Sequence, residues 1–187
     1  EGIFSHYIKA PTLEVLAKKP HLGVSIFKDN SGVFSFNEKW NICIKNETHN
    51  SPSALDPYGG AITGIVGVNR DPMGTGVGAE VIANFWANIV GHQDDRNPYY
   101  KSKSESGELS GLMLNPKQLM TGISKGVEDG GNQMGIPINL ADLMFHDRYN
   151  GKPIVVVGSV GRMPKTVNGV ESHKKHIDVF DRLYIIG

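Results

Sequence analysis

Cysteine is almost missing: Cys43 is the only one among 187 residues. No disulfide can form within the chain, which fits a reducing compartment and a cytoplasmic location. Between Ile42 and Ile44 it reads as a buried structural thiol, because an activated thiol needs a base or a positive neighbour beside it. No apolar run approaches the roughly 18 residues of a membrane helix, so no membrane partner is expected. No charged-then-apolar leader is visible. Net charge is missing as well: 19 basic residues balance 19 acidic ones. That removes the electrostatic footprint of a nucleic-acid binder. It leaves open a small phosphorylated ligand, which needs only local positive charge.

What is present is the composition of a soluble globular domain, 39% hydrophobic and 20% charged. The length predicts one domain over residues 1–187 with a core of its own. The chain opens on Glu1 and closes on the apolar run Arg182–Gly187, and the expectation is a piece of a longer protein.

Thr12–Lys19 predicts a short helix, with Thr12 as its cap and Pro20 as its stop. The runs "LGVSIF", "GVFSF" and "WNICIK" predict three short strands separated by turn residues. The Gly-rich, β-branched run Gly59–Asp71 reads as a strand buried on both faces. Residues 84–111 carry no clear pattern, and the polar run from Gly91 reads as a mobile surface loop. Leu119, Ile123 and Val127 share one helix face, with Asn115 as cap, Pro116 at the first position and Gly130–Gly131 as the stop. "KPIVVVGSVGRMP" and "DRLYIIG" read as two more strands. The sum, about six strands and two or three helices, is a mixed α/β or α+β domain with helices packed on its sheet.

The chemistry concentrates at Ile44–Ala61, "IKNETHNSPSALDPYGGA". In an extended strand alternate side chains share a face, so Lys45, Glu47 and His49 form a row with roughly 7 Å between successive members. A cation, a carboxylate and an imidazole in one row suit a phosphorylated ligand held through a metal: lysine for phosphate, glutamate as a hard oxygen ligand for Mg²⁺. An exposed strand face with a solvated ion pair would look the same. The following loop, with Pro52, Pro57, Gly59 and Gly60, is rigidly specified and can bring backbone N–H groups to an anion. Arg70 and Asp71 are either an ordinary ion pair or a second binding point, arginine for phosphate or carboxylate and Asp71 for a second metal. "GTGVGAE" lacks the spacing of a dinucleotide fingerprint. His173 and His176 stand at a spacing that could hold a metal on a helix, but "ESHKKH" reads rather as a solvated basic face. His92 and His146 lie in polar, loop-like contexts.

The stretch "KNETHNSPSALDPYGGAITGIVGVNRDPMGTG", Lys45–Gly76, closely resembles the signature of the phosphoribosylformylglycinamidine synthase family. "VSIFKDNSGVFSFNEKWNICIK", "GISKGVEDGGNQMGIP" and "DRYNGKPIVVVGSVGRMP" resemble other segments of that family in the same order. The resemblance implies the N-terminal domain of an aminoimidazole ribonucleotide synthase-like fold, whose sheet pairs into a barrel with a partner domain. It implies an ATP-dependent ligase of purine biosynthesis, converting formylglycinamide ribonucleotide to the amidine with ammonia from a glutaminase. ATP and Mg²⁺ are then the expected cofactors. The expected partners are the glutaminase, the chain's own C-terminal domain and a second synthase-like domain. By the same resemblance Lys45 would contact ATP, Glu47 would hold Mg²⁺ and Asp71 a second Mg²⁺. Thr48, His49, Asn50, Ser51 and Arg70 would bind substrate, with His49 as the general base.

Two departures stand out. Many relatives carry histidine where this chain has Ser51, and the family's "SEHC" motif is absent, His6 in "FSHY" being a poor substitute. A non-catalytic pairing or nucleotide-binding module is therefore the competing reading. Another ATP-dependent enzyme of the superfamily, such as the selenophosphate or thiamine-phosphate kinases, is a further one, although those relatives lack "THNSPSALDPYGG".

Overall fold

The computed structural model describes residues 2–175 and 177–186, with the side chain of Lys101 outside the description. His176, half of the histidine pair, therefore lies outside the described residues.

A π-helical segment, Phe4–Lys9, runs directly into α1 (Ala10–Lys18). Thr12 does not cap it. Helical backbone already precedes Thr12, whose hydroxyl donates to the Ile8 carbonyl at 2.7 Å. Three strands follow as expected, β1 (Gly23–Ser25), β2 (Gly32–Ser35) and β3 (Trp40–Thr48). A short helix, α2 (Asn50–Leu55), then leads into α3 (Pro57–Met73).

The helix α3 overturns the strand expected over Gly59–Asp71. Asp56 accepts a hydrogen bond from the Gly59 amide at 3.0 Å, and Pro57 occupies the first turn, a strong helix start. Buried positions in α3 recur as Ala61, Gly64, Ile65, Val68, Asn69 and Pro72. That is the three-and-four rhythm of a helix face, not the alternation of a strand. The glycines of α3 give room to other neighbours, Gly60 to the Ser53 backbone and Gly64 to His49, while the close packing of the two long helices rests on glycines of α4: a methyl group on Gly126 would lie 2.4 Å from the Tyr58 carbonyl oxygen.

The expected loop is also structured in part. Its first residues belong to the long strand β4 (Glu80–Val90), and β5 (Tyr100–Lys103) pairs with β6 (Leu109–Leu112) as a separate ribbon. The helix α4 (Pro116–Met134) starts as predicted, with a reciprocal capping box between Asn115 and Gln118. It passes through Gly130 and Gly131 and stops at Gly135, which takes the left-handed conformation at φ 68°. Strand β7 (Ile138–Phe145), unforeseen, is followed by β8 (Ile154–Pro164), which was expected, and by a ribbon of β9 (Thr166–Val167) and β10 (Val170–Glu171). The strand expected at the end of the chain is not formed over residues 181–186. Leu183, Ile185 and Ile186 there are at least 87% exposed, so no sheet buries them.

The main sheet has the order β1-β2-β3-β8-β4-β7. Its pairs are antiparallel except β4–β7, which is parallel and bridged by α4. The long helices α3 and α4 lie on one face, where Ala61, Ile65, Val68, Leu119, Ile123 and Val127 pack on Val90, Val155 and Val157. Each of the large side chains contributes about 1.5–3 kcal/mol on burial. The register sends Ile42, Ile44, Val156, Val160, Phe85, Ile89, Leu140 and Met144 to the opposite face, where all are half-buried or exposed. No helix among the described residues is long and apolar enough to cross a membrane.

Candidate active site

Pairing fixes the site. Strand β2 ends its ladder at Gly32 opposite Ile44, while β8 continues along β3 as far as Thr48. The last residues of β3 therefore have a ladder on one side only. Alternation sends Cys43, Lys45 and Glu47 toward α3 and sends Ile44, Asn46 and Thr48 to the other face. Cys43 is fully buried, and burial raises its thiol pKa, as a structural cysteine requires.

Asp71 stands in the last turn of α3, above Lys45. The Lys45 ammonium lies 2.9 Å from Asp71 Oδ2 and 3.4 Å from Glu47 Oε1. The hydrogen bond to Asp71 lifts the Lys45 pKa above the ordinary lysine range, against partial desolvation and with help from Glu47. Two carboxylates thus share one cation, and the cluster carries a net negative charge. Hard carboxylate oxygens are the donors Mg²⁺ prefers, and Mg²⁺ usually takes only one or two from protein, completing its shell with water and phosphate. Among the described residues no group of three or more potential metal ligands exists. Glu47 and Asp71 therefore fit a Mg²⁺ that arrives with a polyphosphate, not one held by protein alone.

His49 leaves the strand and precedes α2. Its amide donates to the Val155 carbonyl at 2.9 Å, and its own carbonyl accepts from the Ser53 hydroxyl. The side chain rests on α3 at Gly64, where an added methyl would come within 3.1 Å of the His49 Cβ. Nδ1 is buried with no hydrogen-bond partner, which leaves Nε2 as the ring atom able to meet a solute. From Gly64 to Asp71 is seven residues of helix, roughly 10 Å at about 1.5 Å per residue. The imidazole and the charged cluster thus lie along one helix.

The other predicted residues are placed differently. Thr48 is exposed on the opposite face of the sheet. Asn50 is committed to the fold, its Oδ1 accepting from the Val155 amide at 2.8 Å. Ser51 lines a separate cavity of about 400 Å³ with Tyr99, Tyr100, Met113 and Lys152. Arg70 is exposed beside Asp71 and pairs with no acid among the described residues. The structure thus gathers Lys45, Glu47 and Asp71, sets His49 along the same helix, and leaves Thr48, Ser51 and Arg70 apart. His92 lies 3.4 Å from Asp147 at the ends of β4 and β7, away from this cluster.

Sequence reasoning missed two buried polar groups. Asn69 and Asn84 exchange amide hydrogen bonds at 3.2 and 2.5 Å inside the core. The signal was the pair Asn84 and Asn88, spaced by four in an apolar strand. Asp29 accepts from the Gly76 amide at 2.9 Å and pairs with Lys175 at 2.7 Å, tying the start of the sheet to the loop after α3.

Residues 28–163 match the family model described as AIR synthase related protein, N-terminal domain. The chain belongs to that family. The phosphoribosylformylglycinamidine synthase subunit PurL of Picrophilus torridus is 34% identical over 72% of this chain and 16% of its own length. The same subunit of Chlorobaculum tepidum is 30% identical over 92% of the chain and 20% of its own. The chain therefore spans a fifth or less of these curated relatives. A structure of T. maritima PurL complexed with FGAR superposes with a TM-score of 0.55 at 27% identity, covering 79% of this chain and 20% of that one. The T. maritima protein has also been solved with ADP, AMPPCP and ATP. The six-stranded mixed sheet with its paired helices is this family's fold.

Proposed function

We propose that this AIR synthase related domain forms part of a phosphoribosylformylglycinamidine synthase. In this reading it works in the cytoplasm as one domain of a longer chain, beside a C-terminal domain that completes the ATP site. The observation that carries the reading is the convergence of Lys45, Glu47 and Asp71 at the end of α3, one cation and two hard carboxylates in reach of a common point. The likeness to PurL subunits supports it.

The chemistry follows from what the residues can do. Lys45 is suited to charge compensation on the polyphosphate, and Glu47 and Asp71 to holding Mg²⁺, which when bound neutralises developing phosphate charge. With the formyl group untouched, the glycinamide carbonyl oxygen of the substrate, on the amide joined to the ribose, takes the γ-phosphoryl group, releasing ADP. Ammonia from a glutaminase then adds to the same carbon, and phosphate leaves with its oxygen to give the amidine. His49 is the base that accepts the proton lost from nitrogen, a role for which imidazole is matched near neutral pH. Arg70, with Thr48, Asn50 and Ser51, belongs to the substrate side of the reading. Substrate contact at Thr48 and Arg70 requires a ligand that reaches around the edge of β3. The half-exposed apolar sheet face suits pairing with a second synthase-like domain.

The test is amidine formation from formylglycinamide ribonucleotide, ATP, Mg²⁺ and ammonium. The full-length protein that carries this domain forms the product and the domain alone does not, and His49→Ala in the full-length protein loses it with its far-UV spectrum unchanged. Activity of His49→Ala within about tenfold of the parent contradicts the base assignment.

A further inference from the structure

Two carboxylates and one ammonium leave the cluster one negative charge in excess. The ammonium occupies the point on which both carboxylates converge, at 2.9 Å from Asp71 and 3.4 Å from Glu47. The Lys45 and Asp71 side chains are only 29% and 23% exposed, so water screens this pair less than a surface pair. A divalent cation approaching the same oxygens meets a fixed positive charge in the position it must take. Withdrawing the ammonium changes the cluster from one negative charge to two, the charge a Mg²⁺ ion balances. A polyphosphate can withdraw it, because lysine on its flexible stem exchanges one anion for another at small cost.

We propose that Lys45 is the resident counter-ion of Glu47 and Asp71, and that it bars free divalent metal until a polyphosphate draws it away. Metal and nucleotide then enter together, and the apo protein does not preload metal. This rests on the reading of Glu47 and Asp71 as metal ligands. The lysine is a gate for the metal as well as a phosphate contact, and one side chain couples the two binding events.

Mn²⁺ binding to the purified protein, followed by the loss of its free paramagnetic signal, tests the gate without turnover. In the absence of nucleotide the parent binds Mn²⁺ weakly, and Lys45→Met binds it at least tenfold more tightly. Lys45→Arg, which keeps the charge, stays within about threefold of the parent. Glu47→Gln in the Lys45→Met background removes the gain and so places the metal at this cluster. In the full-length protein that carries this domain, a non-hydrolysable ATP analogue tightens Mn²⁺ binding by the parent. Thermal melts confirm that each variant is folded before it is read. Equal Mn²⁺ affinity of parent and Lys45→Met without nucleotide, with Mn²⁺ still bound through Glu47, overturns the gate and leaves the metal assignment intact. No Mn²⁺ bound through Glu47 in any variant, with or without the analogue, overturns the metal assignment and the gate with it.

Discussion

Asp29 shows how much one side chain holds at the scale of a residue. Burial acts to raise its pKa, but the hydrogen bonds from Lys175, the Gly76 amide and the Asn30 amide, with the Lys175 charge, outweigh it and hold the group below the usual aspartate range. A carboxyl depressed by folding stabilises the native state above its unfolded pKa, and that contribution is lost as pH falls through the lower, folded value. Asp29→Asn should therefore cost about 1.5–3 kcal/mol near neutral pH, the range for hydrogen bonds to a charged group. The difference should shrink below about pH 4, where the unfolded carboxyl protonates. Urea denaturation of parent and variant at pH 7 and pH 3 measures both ends. A cost that is the same at both would mean the charge does not matter. The row at Lys45 and Glu47 was legible from alternation alone, because a strand leaves no freedom about which side chains share a face. The sequence marks Asp71 as a metal ligand, but its contact with Lys45 was not legible: that approach depends on α3 crossing over β3, which sequence spacing does not encode.

At the scale of the element, the contrast between α4 and α3 explains what could be read. Asn115, Pro116 and the spacing of Leu119, Ile123 and Val127 mark α4 unambiguously, and the capping box is present. The run that becomes α3 carries the same kind of start, Asp56 then Pro57, but its glycines and β-branched residues imitate a buried strand. Contact between the two long helices rests instead on glycines of α4, Gly122, Gly126 and Gly130. Gly126→Ala would set a methyl 2.4 Å from the Tyr58 carbonyl oxygen and 3.0 Å from the Ala61 Cβ. The helices must part or the backbone must shift, at a cost of about 1–3 kcal/mol. At roughly 2–4 °C per kcal/mol for a chain of this size, melting should fall by at least 2 °C. An unchanged or higher melting temperature would mean that the helix pair is looser than its geometry. Strands β4 and β7 escaped the sequence reading because Asn84, Asn88 and Asp142 interrupt their apolar pattern. In the fold Asn84 is satisfied by Asn69 and by the Gly158 carbonyl.

For the whole molecule, the sheet has two unlike faces. One is sealed by α3 and α4. The other presents Ile44 at 37%, Leu140 at 60% and Met144 at 45% exposure around the half-buried Phe85 and Val156. In the proposed enzyme a second synthase-like sheet covers this face. Ile44→Asp, at an exposed position, should leave the fold intact and weaken that pairing, seen by sedimentation as loss of self-association or by limited proteolysis as domain separation. Unchanged assembly would place the partner elsewhere.

Substrate-dependent ADP release decides whether the domain serves this reaction. The full-length protein that carries this domain is mixed with ATP, Mg²⁺ and ammonium chloride, with and without formylglycinamide ribonucleotide. ADP release should depend on that substrate and yield one amidine per ADP. A folded full-length protein that binds nucleotide yet releases no ADP, or releases it regardless of the substrate, would rule out the proposed reaction and favour a non-catalytic module or a different kinase-like activity on the same fold.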